Sequence, residues 1–126
     1  MGDYTLVNSD KMWTSTASAA ITGGQLLQVS GAGTVAPTTA NTQRAIAVAG
    51  SDAPNGGRVN VWPIPGNIHE STNNNAGTIT AGAAITAGGS AGVDTGALAT
   101  VAAAGTLIGI ALTTAATATK VRWIGT

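Results

Sequence analysis

The sequence predicts an all-β domain, a small β-barrel or β-sandwich made of two pseudo-repeated halves and preceded by an extended N-terminal arm. Three observations support this fold class. Short apolar runs are bounded by glycine-rich turns, no window outside alanine-rich patches keeps a helical period, and the pattern of the first half recurs in the second. The chain has 126 residues, which is enough for one domain with its own core.

Five short runs have the length and composition of β-strands. They are residues 25–29, 45–49, 58–62, 107–112 and 120–124. Val59 and Val61 alternate with polar neighbours, so both face the same side of a strand, and the last run repeats this pattern. The run 107–112 is apolar throughout and is bounded by Gly105 and by threonines, which indicates a buried strand.

Turn chemistry separates these runs. Residues 51–57 combine Pro54, which fixes φ, with an Asn-Gly pair that tolerates positive φ, and this combination predicts a tight turn. The glycine-rich segments 30–33 and 87–92 predict looser turns. Pro63 ends the strand that precedes it, because proline cannot donate a hydrogen bond to a ladder.

The internal repeat sets the predicted domain organisation. Residues 21–24 line up with 79–82 at an offset of 58 residues, whereas 45–49 line up with 107–111 at an offset of 62. A longer loop between the two segments in the second half reconciles these offsets. We therefore expect an N-terminal arm over residues 1–20 and a single β-domain over 21–126, with half-repeats at about 21–65 and 79–126 and a linker at 66–78.

Charged residues are scarce and balanced. They make up 8% of the chain, five basic and five acidic, against about 25% in a typical domain. The scattered basic residues and zero net charge argue against nucleic acid, which requires a basic cluster, and against an anionic membrane surface. Because so few charges protect a monomer poorly from association, we expect much of the surface to be covered in an assembly. The alternative is a Thr/Ser/Asn surface kept soluble by hydrogen bonds.

Further features bear on disulfides, export and membrane insertion. The absence of cysteine excludes disulfides and thiolate metal sites. The N-terminus lacks the basic region and apolar run of a secretory signal. Residues 95–119 contain no charge and could span a bilayer by length. Their Ala, Gly and Thr content favours a buried strand instead.

Catalytic and ligand-binding motifs are nearly absent from the sequence. The only histidine, His69, lies in an Asn-rich segment and is expected to be a solvated loop residue, without the partners of a triad or a metal site. Residues 31–36 fit a loose dinucleotide-binding pattern, but Pro37 follows where a helix must begin, so a turn is expected. We expect no enzyme, no cofactor and no metal, unless the fold brings two carboxylates together.

The tryptophans and the apolar residues of the arm are the candidate core and contact residues. Trp62 and Trp123 lie near the ends of corresponding strands and are expected to fill the core, with interface anchoring as the alternative. Trp13 lies outside the repeat, where core burial is less expected. The candidate capsid or subunit contacts are the apolar residues of the arm: Tyr4, Leu6, Val7, Met12 and Trp13.

A series of segments carries a family resemblance. They are AAITGGQLL at 19–27, AIAVA at 45–49, GRVNV at 57–61, TAGAAI at 80–85 and GTLIGIAL at 105–112. Their order after a polar arm resembles the small capsid decoration, or head cement, proteins of tailed bacteriophages, over residues 19–124. The resemblance implies a β-barrel-like virion protein that is made in the host cytoplasm and lies on the outer surface of the capsid. It also implies a homotrimer that binds the major capsid protein and reinforces the shell against the pressure of packaged DNA.

Two other structural functions remain open from the sequence. A tail-fibre or receptor-binding β-module would also suit a Thr/Gly/Ala-rich repeat, but it predicts more repeats or an aromatic patch. An ice or polymer binder would need regular rows of threonine, and residues 113–119 form only a short row.

Overall fold

The first half of the chain forms a closed five-stranded barrel. The computed structural model describes residues 12–42 and 44–126. The strands of the barrel are β1 (Trp13–Ala17), β2 (Leu26–Gly31), β3 (Thr34–Pro37), β4 (Ala45–Ala49) and β5 (Arg58–Pro63). They are hydrogen-bonded in the order β1-β3-β2-β4-β5, and β1 closes the barrel by pairing parallel with β3 and antiparallel with β5.

The second half forms a five-stranded sheet with the order β6-β10-β9-β7-β8. Its strands are β6 (Ile68–Thr72), β7 (Ala84–Ala87), β8 (Val93–Gly96), β9 (Gly109–Ala111) and β10 (Lys120–Gly125). A 3-10 turn at Gly89–Ala91 and one helix, α1 (Leu98–Ala104), are its other elements. The predicted all-β barrel-like fold class is therefore confirmed. Among the described residues, no helix is both long enough and apolar enough to cross a membrane.

The two halves make matching backbone hydrogen bonds. Ile21 bridges Ala53 in the first half as Ile79 bridges Ala115 in the second. The amide of Gly24 donates to Ala49 at 2.8 Å, and the equivalent amide of Gly82 donates to Ala111 at 2.8 Å. Both glycines have φ of 89°. The helix α1 lies in the loop between β8 and β9, where the sequence offset between the halves changes.

The first strand of each half lies where the sequence predicted an arm and a linker. The predicted arm includes residues 13–17, but β1 pairs with β5 through Trp13 to Thr16 and is part of the barrel. The predicted linker includes residues 68–72, but β6 pairs with β10 along its whole length. β1 is rich in Ser and Thr, and β6 combines His, Glu, Ser and Thr, so neither has the apolar alternation that marks β5 and β10. Residues 1–11 of the expected arm lie outside the described residues.

The two halves share a core. The barrel interior contains small and β-branched side chains such as Ala17, Leu27, Ala47, Val59 and Val61. A second cluster joins three residues of the first half with the apolar side of the second sheet, and its members include Leu26, Val48, Ile64, Ile79, Ile85, Val93, Val121 and Trp123. Because this cluster draws on both halves, we expect them to unfold together.

The turn before β10 gives a direct test of the repeat. Ala118 has φ of 65°, and its amide donates to Asn73, as the amide of Gly56 (φ 84°) donates to Ala17. A side chain in the left-handed region is strained, whereas glycine is not. We expect Ala118→Gly to raise the free energy of unfolding by about 0.5–1 kcal/mol and Gly56→Ala to lower it by about 1 kcal/mol.

Chemical denaturation of both variants measures these changes. A Cβ on Gly56 would meet nothing within 4 Å, so the Gly56→Ala cost reports backbone strain alone. Changes of opposite sign in the free energy of unfolding support the equivalence of the two turns. Destabilisation by Ala118→Gly would contradict it.

Candidate interaction surface

The described acidic residues make structural contacts within the domain. Asp52 accepts a hydrogen bond from the amide of Gly23 at 2.7 Å, and Asp94 accepts one from the adjacent Thr95 amide at 2.7 Å. Glu70 and Arg122 form an exposed ion pair of 3.2 Å across β6 and β10. In the part of the chain that the structure describes, no three His, Cys, Asp or Glu residues group as metal ligands would.

His69 is buried, and the expectation of a solvated loop residue was wrong. It lies on β6, points into the core of the second half and is 6% exposed. Its Nε2 is 3.1 Å from the carbonyl oxygen of Ile64, so this nitrogen carries the proton and donates. Its ring lies against Trp123, with centroids 4.7 Å apart. The single histidine is therefore a satisfied core residue.

Burial determines the protonation of His69. Desolvation lowers the pKa of the imidazole below its ordinary value of 6.5, and hydrogen bonds to the carbonyls of Ile64 and Pro63 only partly oppose this. Because the pKa is lower in the folded chain, the unfolded chain binds more protons at acidic pH. The contribution of His69 to stability is complete above pH 6.5 and decreases as the pH falls toward the folded-state pKa.

We therefore expect the free energy of unfolding to fall as the pH is lowered from 7 to 5, measured by urea denaturation. His69→Gln keeps a donor near Ile64 without titrating, so its stability should change less over the same range. An identical pH dependence in the two proteins would show that other groups cause the change.

Six large apolar side chains are exposed in the described part of the chain. They are Met12, Val29, Trp62, Ile68, Leu98 and Leu112. Trp13 pairs with Val61, so the preceding Met12 lies across from Trp62 on the outer face of the barrel. Trp62 and Ile68 line the same groove. We call Met12, Trp62 and Ile68 the apolar strip.

The groove beside this strip lies where the two halves meet. Its volume is about 390 Å³, and its lining comes from both halves: Gly24, Val48, Ala49, Trp62, Asn67, Ile68, His69 and Glu70. The indole of Trp62 lies directly over Gly50, where a Cβ would approach its Nε1 to 2.8 Å. Because Gly50 has no side chain, the indole of Trp62 can lie at this position. The groove offers an aromatic wall, Trp62, and an aliphatic wall, Ile68.

The structure separates the predicted contact residues. Tyr4, Leu6 and Val7 lie outside the described residues. Met12 is 42% exposed. Trp13 points toward the barrel core and packs against it, so it is half-buried.

The two remaining tryptophans differ from each other. Trp123 is fully buried, as predicted, but Trp62 is 41% exposed, so its expected place in the core was wrong. The sheet register explains the difference. Trp123 pairs with Ala111, and the equivalent pair in the first half is Ala49 with Val61. Trp62 is one residue further along its strand and faces the opposite side.

Sequence reasoning selected Met12 but missed Trp62 and Ile68, the other two residues of the apolar strip, although part of the signal was available. Val59 and Val61 share the inner face of β5, so the alternation places Trp62 outside. Ile68 carried no such signal, because the segment around it reads as a polar linker.

Comparison with known proteins identifies the family. The sequence model of the phage cement proteins matches residues 7–125. Among solved structures, the fold is similar to the N base of the head fiber protein gp8.5 of bacteriophage phi29, with a TM-score of 0.69 and 18% identity over 92% of this chain and 93% of that one. No curated protein sequence matches the chain.

The family match extends over nearly the whole chain, including β1 and β6, and confirms the resemblance seen in the sequence. The structural match shows that the fold also occurs in a protein of a phage head. The chain belongs to the phage cement protein family and is a structural protein of the phage head.

Proposed function

We propose that this protein is a capsid decoration protein that binds the major capsid protein on the outside of a phage head and stabilises the shell against internal DNA pressure. The match of the cement family to residues 7–125 carries the proposal. The protein acts without catalysis and without a cofactor, and its place in the virion is the outer surface of the capsid.

The composition of the surface supports protein contacts. The chain has no net charge, so it lacks the basic field that nucleic acid or an anionic membrane would require. Clustered apolar exposure such as the apolar strip is typical of interaction sites. A capsid protein is therefore the class of partner that fits this surface.

The contacts with the capsid are made by the N-terminal residues Tyr4, Leu6, Val7 and Met12. An extended segment of this kind can add a strand to an exposed sheet edge of the capsid protein. Trp13 supports these contacts from within the barrel. A homotrimer binds through three such segments at once and gains avidity without stronger single contacts.

The experiment compares the release of DNA from heated phage heads with no added protein, with the full chain and with a variant that lacks residues 2–11. This deletion stops before β1, so the barrel stays complete. We expect the full chain to raise the temperature of DNA release, measured with a DNA-binding dye, and the deletion variant to have a much smaller effect. No protection by the full chain would contradict the cement function, and equal protection by the variant would contradict the role of the N-terminal segment.

A second candidate function is that of a fibre module. The similarity between the fold of this chain and the base of a head fiber favours this candidate. In this function the domain would hold a projecting fibre or a receptor-binding part on the virion. Electron microscopy of decorated heads distinguishes the two. Compact knobs favour the cement function, whereas projecting fibres favour the second candidate.

A further inference from the structure

We propose that Asn55 is a deamidation site that β1 protects, and that it reacts only after β1 has separated from the turn at residues 54–57. This inference goes beyond the proposed function, because it concerns a covalent change in the chain itself. The reaction needs neither a partner nor a cofactor.

The sequence selects this asparagine. Among the asparagines of the chain, Asn55 is the only one followed by glycine. In deamidation the backbone nitrogen of the following residue attacks the side-chain amide carbon, and a glycine, which has no side chain, hinders this attack least. Asn55 and Gly56 are both exposed, so water and buffer reach the turn.

The reaction consumes only water. The Gly56 nitrogen loses its proton to a base of the solution and forms a bond to Cγ of Asn55. The Cγ–Nδ2 bond breaks, and Nδ2 takes a proton from water and leaves as ammonia. Water then opens the cyclic imide at either of its carbonyl groups, which gives aspartate or isoaspartate. The product carries a new negative charge, and isoaspartate also lengthens the main chain before Gly56.

The turn and β1 are joined by two backbone hydrogen bonds. The amide of Gly56 donates to the carbonyl of Ala17 at 2.8 Å, and the amide of Ala17 donates to the carbonyl of Gly57 at 2.8 Å. Ala17 is 1% exposed and is the last residue of β1, the strand that closes the barrel. The nitrogen that must attack therefore keeps its proton in a hydrogen bond while β1 stays in place.

A second turn offers a similar backbone without this protection. Residues 54–57 form a type II turn, because the amide of Gly57 donates to Pro54 at 2.9 Å and Gly56 has φ of 84°. Gly33 has the corresponding position in the turn between β2 and β3, with φ of 72°. The Gly33 amide has no hydrogen-bond partner among the described residues. An asparagine placed before Gly33 would therefore be unprotected.

The experiment compares the two turns within one chain. Ala32 is exposed and precedes Gly33, so Ala32→Asn creates the unprotected site. The full chain with this substitution is incubated at mildly alkaline pH, folded or in denaturing urea, and peptide mapping by mass spectrometry gives the rate at each site. In the folded chain we expect Asn55 to react at least about tenfold more slowly than position 32, the factor that corresponds to one such hydrogen bond. In urea the two rates should be similar. Equal rates in the folded chain would overturn the proposal.

A pair of variants tests the role of β1. Trp13→Ala removes a β1 side chain that packs against the barrel core and leaves the turn unchanged. Val121→Ala truncates a fully buried side chain of the second half. We expect Trp13→Ala to increase the rate at Asn55 several-fold in the folded chain, and Val121→Ala to leave it nearly unchanged, because local opening of β1 exposes the site.

Two results of this comparison would overturn the assignment to β1. An equal increase in both variants would show that global unfolding exposes Asn55. An unchanged rate in Trp13→Ala would show that β1 does not protect it.

Discussion

Trp123→Ala is expected to lower the free energy of unfolding by about 4 kcal/mol, the largest effect of a single truncation in this chain. Trp123 is fully buried in the cluster that joins the two halves. Its Nε1 donates to Ser71 Oγ at 3.1 Å, and its ring lies against His69. Truncation removes these contacts and leaves a cavity. It also leaves the buried Ser71 hydroxyl without the hydrogen bond from Trp123.

The matched control is Trp62→Ala, which removes the same side chain from the equivalent strand of the other half. Because Trp62 is on the outer face and 41% exposed, we expect this change to cost about 1 kcal/mol or less. Urea denaturation of the two variants gives both values. Similar costs would mean that the register difference between β5 and β10 is not as the structure has it.

Gly125→Ala is expected to lower the free energy of unfolding by about 3 kcal/mol, the upper end of the range for overpacking. Gly125 is buried at the end of β10, where it bridges Pro65 and its amide donates to Asn67 at 3.0 Å. A Cβ at this position would overlap the carbonyl group of Ile64. This obstacle is backbone, so no side-chain rotation can relieve it.

Gly89→Ala is the control for this substitution. Gly89 is exposed, lacks a positive φ, and a Cβ there would meet nothing within 4 Å. We expect its stability to stay within about 0.5 kcal/mol of the parent. A mild effect of Gly125→Ala, comparable with that of Gly89→Ala, would contradict the close packing of the two halves at Ile64.

Sequence reasoning succeeded where side-chain alternation and turn chemistry acted together. β4 has the predicted bounds, and β5 and β10 extend the predicted runs by one residue each. The valines of β5 and β10 face the core, so for these positions burial and sequence pattern carry the same information. The observed strand β9 (Gly109–Ala111) is shorter than the predicted run 107–112, because only residues 109–111 pair with β10.

The missed strands carry buried polar residues on their inner faces. On β6 the inward side chains are His69 and Ser71, and on β1 Ser15 is buried between Trp13 and Ala17. A strand of this kind satisfies its polar groups through partners distant in sequence, such as Gly33 for Ser15 and Trp123 for Ser71. No local pattern reveals such partners, so the segment reads as a linker.

The candidate surface was only partly predictable for a similar reason. Met12 was selected because it is apolar in a polar segment, and it is exposed. The groove required the junction of two halves, which brings Trp62 and Ile68 together with Gly24. Sequence spacing does not encode that junction, because it depends on how the barrel packs against the second sheet.

Co-sedimentation of the purified full chain with expanded phage heads that lack their own decoration protein tests the central claim most directly. We expect saturable binding, with a number of bound copies that is a multiple of three for each local three-fold position, and no binding to free DNA in the same buffer. A chain that stays in the supernatant at every ratio of protein to heads would contradict its assignment as a capsid decoration protein.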